Sequence, residues 1–469
     1  MNEETEFDAS EWETASMKKM LSYSFGWLFV FFMGGFFNTI VFYYYEVELG
    51  LPIVLLGLAY VIFALWNMIN DPLLGYLTDR KFKWSKKLGF RAPWMMIAIF
   101  PYLLCWWLIF AVPDSIVESS DPWPLFWYFV IIACLFDTFY SLFSTHIGAG
   151  YTTYFRTDAE RKKSSAVSNI VPQFMSLFLG FMLPLFYVYG DRSSMIFAQT
   201  IIVLLLVVCL IIFIPSIRES DEIKAAFLRG YETTVRDSYF KTMKSVLKRK
   251  NFVVTMIVLW LMTLGGVLAS ASGVYFLKDV LQLPMYNYIF MALAGFLGFV
   301  LFIPFWYNIS KKYGHVKCFK LALLLAVFGY LNYLWVTTLT HVIIMSFIGG
   351  FTAGCYWTNM GPVNSDVFDE CTIAAGKHQE ALYTSVRTFF YRISLIAQAV
   401  IFVIVHVATG YNPDPKAVQT DLAILGIRLH AGLIPSILAL LAFIIMSKYY
   451  DLIGEKQEAL KVKLKEMGL

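Results

Sequence analysis

The sequence predicts an all-α polytopic membrane protein: twelve transmembrane helices arranged as two pseudo-symmetric six-helix bundles. Three observations predict it. The chain is 59% hydrophobic and only 15% charged, against about 25% charged in an ordinary soluble domain. Its apolar runs recur along the whole length, and many exceed the roughly 18 residues that mark a membrane-spanning helix. Lys and Arg gather in alternate connections between those runs, as the positive-inside rule requires.

The elements follow in order. Residues 1–20 form a polar, acidic tail without the pattern of a cleavable signal peptide. Spans at 21–45, 53–78, 93–113, 124–150, 166–189 and 194–216 make a first bundle over 21–216. Spans at 252–276, 284–308, 317–337, 341–366, 381–409 and 424–449 make a second bundle over 251–449, and residues 450–469 form a tail. Breaker-rich stretches such as "VPDSIVESSDPWP" and "GYNPDPK" separate them.

The connections after spans 2, 4, 6 and 8 carry six, four, nine and four Lys or Arg, whereas those after spans 1, 3 and 9 carry none. The rich side is expected in the cytoplasm, with both termini, and the protein in the plasma membrane. The long connection, 217–250, has helical periodicity at Ile223, Phe227, Tyr231 and Val235. It reads equally as an amphipathic helix on an anionic leaflet or as a solvated joining helix. "GYLTDRKFKWSKK" after span 2 is echoed by "WYNISKKYGHVK" after span 8, six spans later. Such a parallel repeat is a transporter plan.

Ionisable residues at mid-membrane are expensive and usually functional. Asn67, Asn70, Asp71 and Gly75 recur at one-turn spacing in span 2, and Pro72 frees a backbone carbonyl beside them. These are hard oxygen donors suited to a small cation. Asp137 is central in span 4, with Ser141, Ser144 and Thr145 on its face. Arg392 lies at similar depth in span 11, with Thr388 near it. The competing reading is that these charges only fix helix packing. His146, His406 and His430 read as packing residues, Gln173, Asn332 and Gln398 as interhelical hydrogen-bonding groups, and Glu46 and Lys278 as side chains that snorkel to the surface.

No Walker A, GxSxG or HExxH pattern occurs, and the six cysteines have no metal-ligand spacing. No enzymatic activity and no resident cofactor is expected. Without a P-loop, active transport must draw on an ion gradient. Nothing in the sequence suggests a nucleic-acid partner; the partners expected are the bilayer and a small molecule.

"NDPLLGYLTDRKFKWSKKLGFRAPW", "YYYEVELGL" and "SDVFDE…GKHQEALYTSVRT" resemble the glycoside–pentoside–hexuronide cation symporters, the major facilitator family that contains the melibiose permease. The resemblance implies cation-coupled symport of a sugar-like solute by a protein that is usually monomeric, with sodium or a proton as coupling ion. It implies a cation site at Asn67, Asn70, Asp71 and Asp137, with Asn70, Asp71 and Asp137 as sodium ligands. It places substrate at Asp137, Trp357, Thr388 and Arg392, and a conformational gate at Gly75, Asp79, Arg80, Asp366 and Asp369. Departures follow too. Asn67 stands where sodium-coupled members carry a carboxylate, Arg392 where they carry lysine, and the span-1 aspartate that grips the sugar is absent from "LFVFFMGG". These leave a carrier of lysolipids or organic acids open. A non-transporting receptor on the same scaffold is the reading from another class.

Overall fold

The computed structural model describes residues 15–78, 82, 85–155, 157–221, 224, 239–376 and 380–467. Among the described residues, twelve helices are long and apolar enough to cross a bilayer. In the first half they are α1 (Met17–Tyr43), α2 (Ile53–Thr78), α3 (Ala92–Phe110), α4 (Trp123–Tyr154), α5 (Asp158–Phe186) and α6 (Arg192–Phe213). In the second half they are α7 (Lys250–Tyr275), α8 (Tyr288–Tyr313), α9 (His315–Leu331), α10 (Leu339–Ala375), α11 (Glu380–Thr409) and α12 (Asp421–Tyr449). Local chemistry sets the ends. Thr157 and Glu160 form a capping box at α5. Asp191 and Thr338 cap α6 and α10. Helix α10 runs well past the expected end at 366, because no breaker intervenes before Gly376, whose φ of 68° stops it. Most of the 217–250 connection lies outside the described residues; Tyr239–Val246 within it is helical.

The packing repeats with an offset of six helices. In the first half α1 packs on α5, α2 on α4, and α3 on α4; in the second, α7 packs on α11, α8 on α10, and α9 on α10. A finer repeat is carried by the helix ends. Helix α1 widens into a π turn at Tyr44–Glu48, and α7 does so at Phe276–Val280. The Leu49 amide donates to Tyr44, and that of Leu281 to Phe276, both at 3.0 Å. Positive φ follows at Gly50 (70°) and Gln282 (53°), then Pro52 and Pro284. Gln282 holds a conformation that favours glycine because its turn is a copy of the one glycine makes in the first half.

The two bundles are joined from the midplane to the end opposite the 217–250 connection, here called the far end. The contacts are Arg392–Asp71 (2.7 Å), Asn38–Tyr391 (3.3 Å), Thr39–Ser270 (2.8 Å), Tyr275–Glu46 (2.5 Å) and His406–Glu46 (2.8 Å). The apolar core says the same. One continuous cluster spans the first bundle and the far half of the second, while the connection-end half of the second bundle, from Phe252 to Leu261 and Val363 to Val386, forms a separate core. The molecule is therefore closed at the far end; the cross-bundle contacts named here, all among the described residues, lie between the midplane and that end.

Two contacts set the rigidity of the halves. At the α8–α10 crossing, a Cβ on Gly298 would strike the Phe347 carbonyl, and one on Gly350 the Gly295 carbonyl. Small residues let these backbones touch. At the connection end, the buried Glu219 carboxylate accepts from the amides of Phe90 (2.8 Å), Arg91 (2.7 Å) and Ala92 (3.0 Å). It thereby satisfies the open donors and positive dipole end of α3. Gly350→Leu is expected to destabilise the protein severely, by more than about 3 kcal/mol, read as a lower unfolding temperature in detergent. Glu219→Gln, which loses charge-assisted bonds, should cost about 1–3 kcal/mol. An unfolding temperature equal to the parent's would contradict either.

Candidate functional site

Polar side chains on α2, α4 and α11 meet near the middle of the spans. Asn67 and Asn70 are one turn apart on α2 and face α4, where both amide nitrogens donate to Asp137. Asn67 reaches Oδ1, and Asn70 reaches Oδ2 at 3.3 Å. All three residues are buried. Asp71 is about 100° round the helix from Asn70 and about 40° from Asn67, at the opposite edge of the arc from Asn70. It faces α11 in the other bundle and pairs through Oδ2 with Arg392 Nη2 at 2.7 Å. The Arg392 side chain is 11% exposed and that of Asp71 is 31% exposed.

The two carboxylates thus have separate tasks in this state. Asp137 is held inside the first bundle by amides, and Asp71 bridges the bundles. Buried atoms without a hydrogen-bond partner among the described residues include Asn67 Oδ1, Asp71 Oδ1 and Arg392 Nε. The two oxygens, Asn67 Oδ1 and Asp71 Oδ1, are unspent acceptors of the kind a small cation takes, whereas Arg392 Nε is an unspent donor. The amides of Asn67 and Asn70 turn nitrogen to Asp137 in this state. A half-turn of either amide exchanges nitrogen and oxygen. Among the described residues, no group of three or more His, Cys, Asp or Glu side chains is placed to hold a metal ion.

A cavity of about 50 Å³ opens beside Asp137 and Arg392. Asn38, Asn67, Tyr140 and Tyr391 give it a polar side, and Phe37, Phe63, Phe136 and Leu395 an apolar one. Phe37 stacks on Phe136 at 5.4 Å and on Phe63 at 5.2 Å, so the apolar wall is built from α1, α2 and α4 together. The volume suits a small ion or a few waters, well short of the roughly 300–1,000 Å³ of a small-molecule pocket.

Other expected residues are placed elsewhere. Trp357 is 59% exposed, touches Tyr356 edge-on and does not line this cavity. Thr388 donates to the Thr384 carbonyl of its own helix. Gly75 lies one turn beyond Asp71 with open space around it. Asp79 and Arg80 fall outside the described residues. Asp366 accepts from Gln457 and pairs with His315, each at 2.7 Å, contacts that stay within the second half and its tail helix. Asp369 is partly exposed on the same helix end. Gln173 is exposed, Asn332 bonds within its own helix end, and Gln398 is buried with neither polar atom partnered among the described residues. Glu46 and Lys278 do not snorkel. Glu46 is buried under Tyr275 and His406 of the opposite bundle, and the Lys278 side chain, 7% exposed, lies beside Asp279 at 2.8 Å.

Residues missed by sequence reasoning are Asn38 and Tyr391, which hydrogen-bond across the seam at the cavity, and Tyr140. Asn38 carried a signal: it is an amide in the otherwise apolar centre of span 1.

Comparison with known proteins agrees with this architecture. The sequence matches the MFS/sugar transport protein family over residues 22–452. It is 22% identical to the uncharacterised symporter YnaJ of Bacillus subtilis, covering 91% of this chain and 92% of that one. It is 23% identical to the sodium-dependent lysophosphatidylcholine symporter 1-A of Danio rerio, covering 82% and 76%. The fold is similar to that of the nucleoside transporter NupG, with a TM-score of 0.59 at 14% identity over 92% of this chain and 100% of that one. A structure described as giving insights into substrate recognition in proton-dependent oligopeptide transporters has a TM-score of 0.58 at 11% identity, covering 96% of this chain and 99% of that one. With a match that runs through all twelve spans, the chain belongs to the MFS/sugar transport protein family.

Proposed function

We propose that this protein is a cation-coupled symporter that carries a sugar-like solute by alternating access. The observation that carries the reading is the charged seam at mid-membrane: Arg392 of one bundle on Asp71 of the other, beside Asp137 in its amide cradle. A coupling ion, Na+ or H+, neutralises the carboxylates. Sodium would draw on Asp137, Asp71 and the amide oxygens of Asn67 and Asn70; a proton would sit on a carboxylate alone.

Arg392 is always charged and presents a planar fork of donors. When a proton or sodium ion neutralises Asp71, the guanidinium is released toward the solute. The solute binds between the polar side of the cavity and its aromatic wall. A buried charge without a partner is costly, so the ion-bound form is disfavoured until Arg392 is answered by Asp137 or by a group on the solute, which couples movement of the loaded carrier to the ion. By the positive-inside rule the connection end faces the cytoplasm.

A second reading is favoured by one feature of the lining. Phe37, Phe63, Phe136 and Leu395 form a continuous apolar wall, and the sugar-gripping aspartate of span 1 is absent. An amphiphile with a polar head and an acyl chain suits such a wall. The Danio rerio relative is described as a lysophosphatidylcholine symporter.

Uptake into proteoliposomes of labelled glycosides, pentosides, uronates and lysolipids, under a sodium gradient and separately a proton gradient, tests both readings. Accumulation of a glycoside supports the first, and accumulation of lysolipid alone supports the second. Absence of gradient-driven uptake of every member of the panel counts against both. Asp137→Asn keeps an acceptor for the Asn67 and Asn70 amides but no titrating carboxylate. It should abolish gradient-driven accumulation while leaving the unfolding temperature close to the parent's. Asp71→Asn should abolish accumulation, spare exchange and destabilise by about 2–4 kcal/mol, because Arg392 is left unpaired. Full uptake by either variant would refute the assigned role.

A further inference from the structure

Glu46, Tyr275, His406, His430 and Ser272 form a buried cluster at the far end, separate from the midplane site. Each is 0–3% exposed. Glu46 belongs to the first bundle; the other four belong to the second. Glu46 Oε2 accepts from the Tyr275 hydroxyl at 2.5 Å, and Oε1 lies 2.8 Å from His406 Nδ1. His406 Nε2 lies 3.2 Å from His430 Nε2, and His430 Nδ1 lies 2.6 Å from Ser272 Oγ.

Hydrogen counting gives the cluster its charge. Ser272 Oγ sits 2.6 Å from the Leu268 carbonyl, which can only accept, so the hydroxyl hydrogen points there. Three contacts remain, Ser272–His430, His430–His406 and His406–Glu46, and each needs one hydrogen. Two neutral imidazoles supply two. The third is an additional proton, carried by the His406–Glu46 pair as imidazolium with carboxylate or as imidazole with carboxylic acid.

Among the described residues, no neighbour replaces it. Tyr43 and Glu48 from α1 face each other at 3.4 Å. From α7, Lys278 pairs with Asp279, which also accepts from Tyr411 in the connection after α11. Arg428 of α12 donates to the carbonyls of Tyr333 and Val336.

We propose that Glu46 and His406 form a proton-binding site assembled only when the far end is closed. Parting the bundles there separates Glu46 from Tyr275 and His406 and admits water. Free in water, a glutamate and a histidine hold no such proton at about pH 7.5, so opening releases one proton to the far compartment and closing recovers it. The proton sits on Glu46 Oε1 or His406 Nδ1 and does not cross the membrane. It makes closure of this end depend on far-side pH. The closed form binds one proton more than the open form, so acid favours closure and alkali favours opening.

The proposal rests on the alternating-access reading but not on its coupling ion. It is tested with spin labels at Ser120→Cys and Val418→Cys, exposed far-end positions in opposite halves. The six native cysteines are replaced in a background that keeps the parent's unfolding temperature, and the protein is placed in lipid nanodiscs. Label-to-label distances are measured by pulsed EPR from about pH 5 to about pH 9. The short-distance population should fall relative to the long one by up to about tenfold per pH unit. That slope should vanish in Glu46→Gln and His406→Gln and persist in Asp137→Asn. His430→Gln, which leaves the Glu46–His406 pair in place, should retain it and serves where one of the first two variants does not fold. A flat ratio in the parent overturns the proposal. So does a slope kept in Glu46→Gln or His406→Gln, or one lost only in Asp137→Asn; each leaves the symport reading to be judged by uptake.

Discussion

A guanidinium in the middle of a bilayer has to be answered by an anion, and Arg392 cannot escape by losing its proton. Hydrocarbon offers it nothing, and its long side chain sits too deep on α11 to reach either surface. Asp71 answers it here from the other bundle. Whatever the bundles do, some anion must remain within reach: Asp71, Asp137 a short way across the cavity, or a group on the solute. The states open to the protein are limited to those in which that condition holds. The division of labour between the two carboxylates, and the amides that keep one of them in place, follow from it.

The structure is symmetric in its scaffold and asymmetric in its charges. The six-helix offset appears in the helix pairings and in the π turns that end α1 and α7. Charge does not follow that repeat. Glu46 in the first half corresponds to Lys278 in the second, yet they are not partners. Glu46 crosses the seam to Tyr275 and His406, whereas Lys278 stays at home with Asp279. Repetition supplied two similar frames, and the polar chemistry was placed along the seam between them.

The twelve spans were legible because hydropathy averages over about 20 residues and tolerates error at any one position. Mid-membrane Asp137 and Arg392 were legible because charges there are rare. Rotation about a helix axis was not. Asn67, Asn70 and Asp71 lie within a 100° arc, close enough to read as one face, yet α4 takes the first two and α11 takes the third. Only the positions of the neighbours decide that. Glu46 failed for a related reason. A carboxylate one turn from the end of a span reads as snorkelling when the span is considered alone; the cover over it comes from residues more than 200 positions away. The π-turn repeat, by contrast, was available in the sequence as "YYEVELGLP" and "FLKDVLQLP". It was obscured because only two leucines and a proline are shared in register, among residues of otherwise different polarity.

The glycine contact between α8 and α10 has a mechanical meaning. Where backbone touches backbone, no layer of side chains remains to compress, slide or change rotamer, so the pair bends as one beam. The seam between α2 and α11 is different: Val403 there presses into the space beside Gly57, and a methyl group stands between the two backbones. Stiffness is thus concentrated inside a half and compliance at its border. A tilt begun at one membrane face arrives at the other nearly undiminished, as through a crossbar turning on a padded hinge.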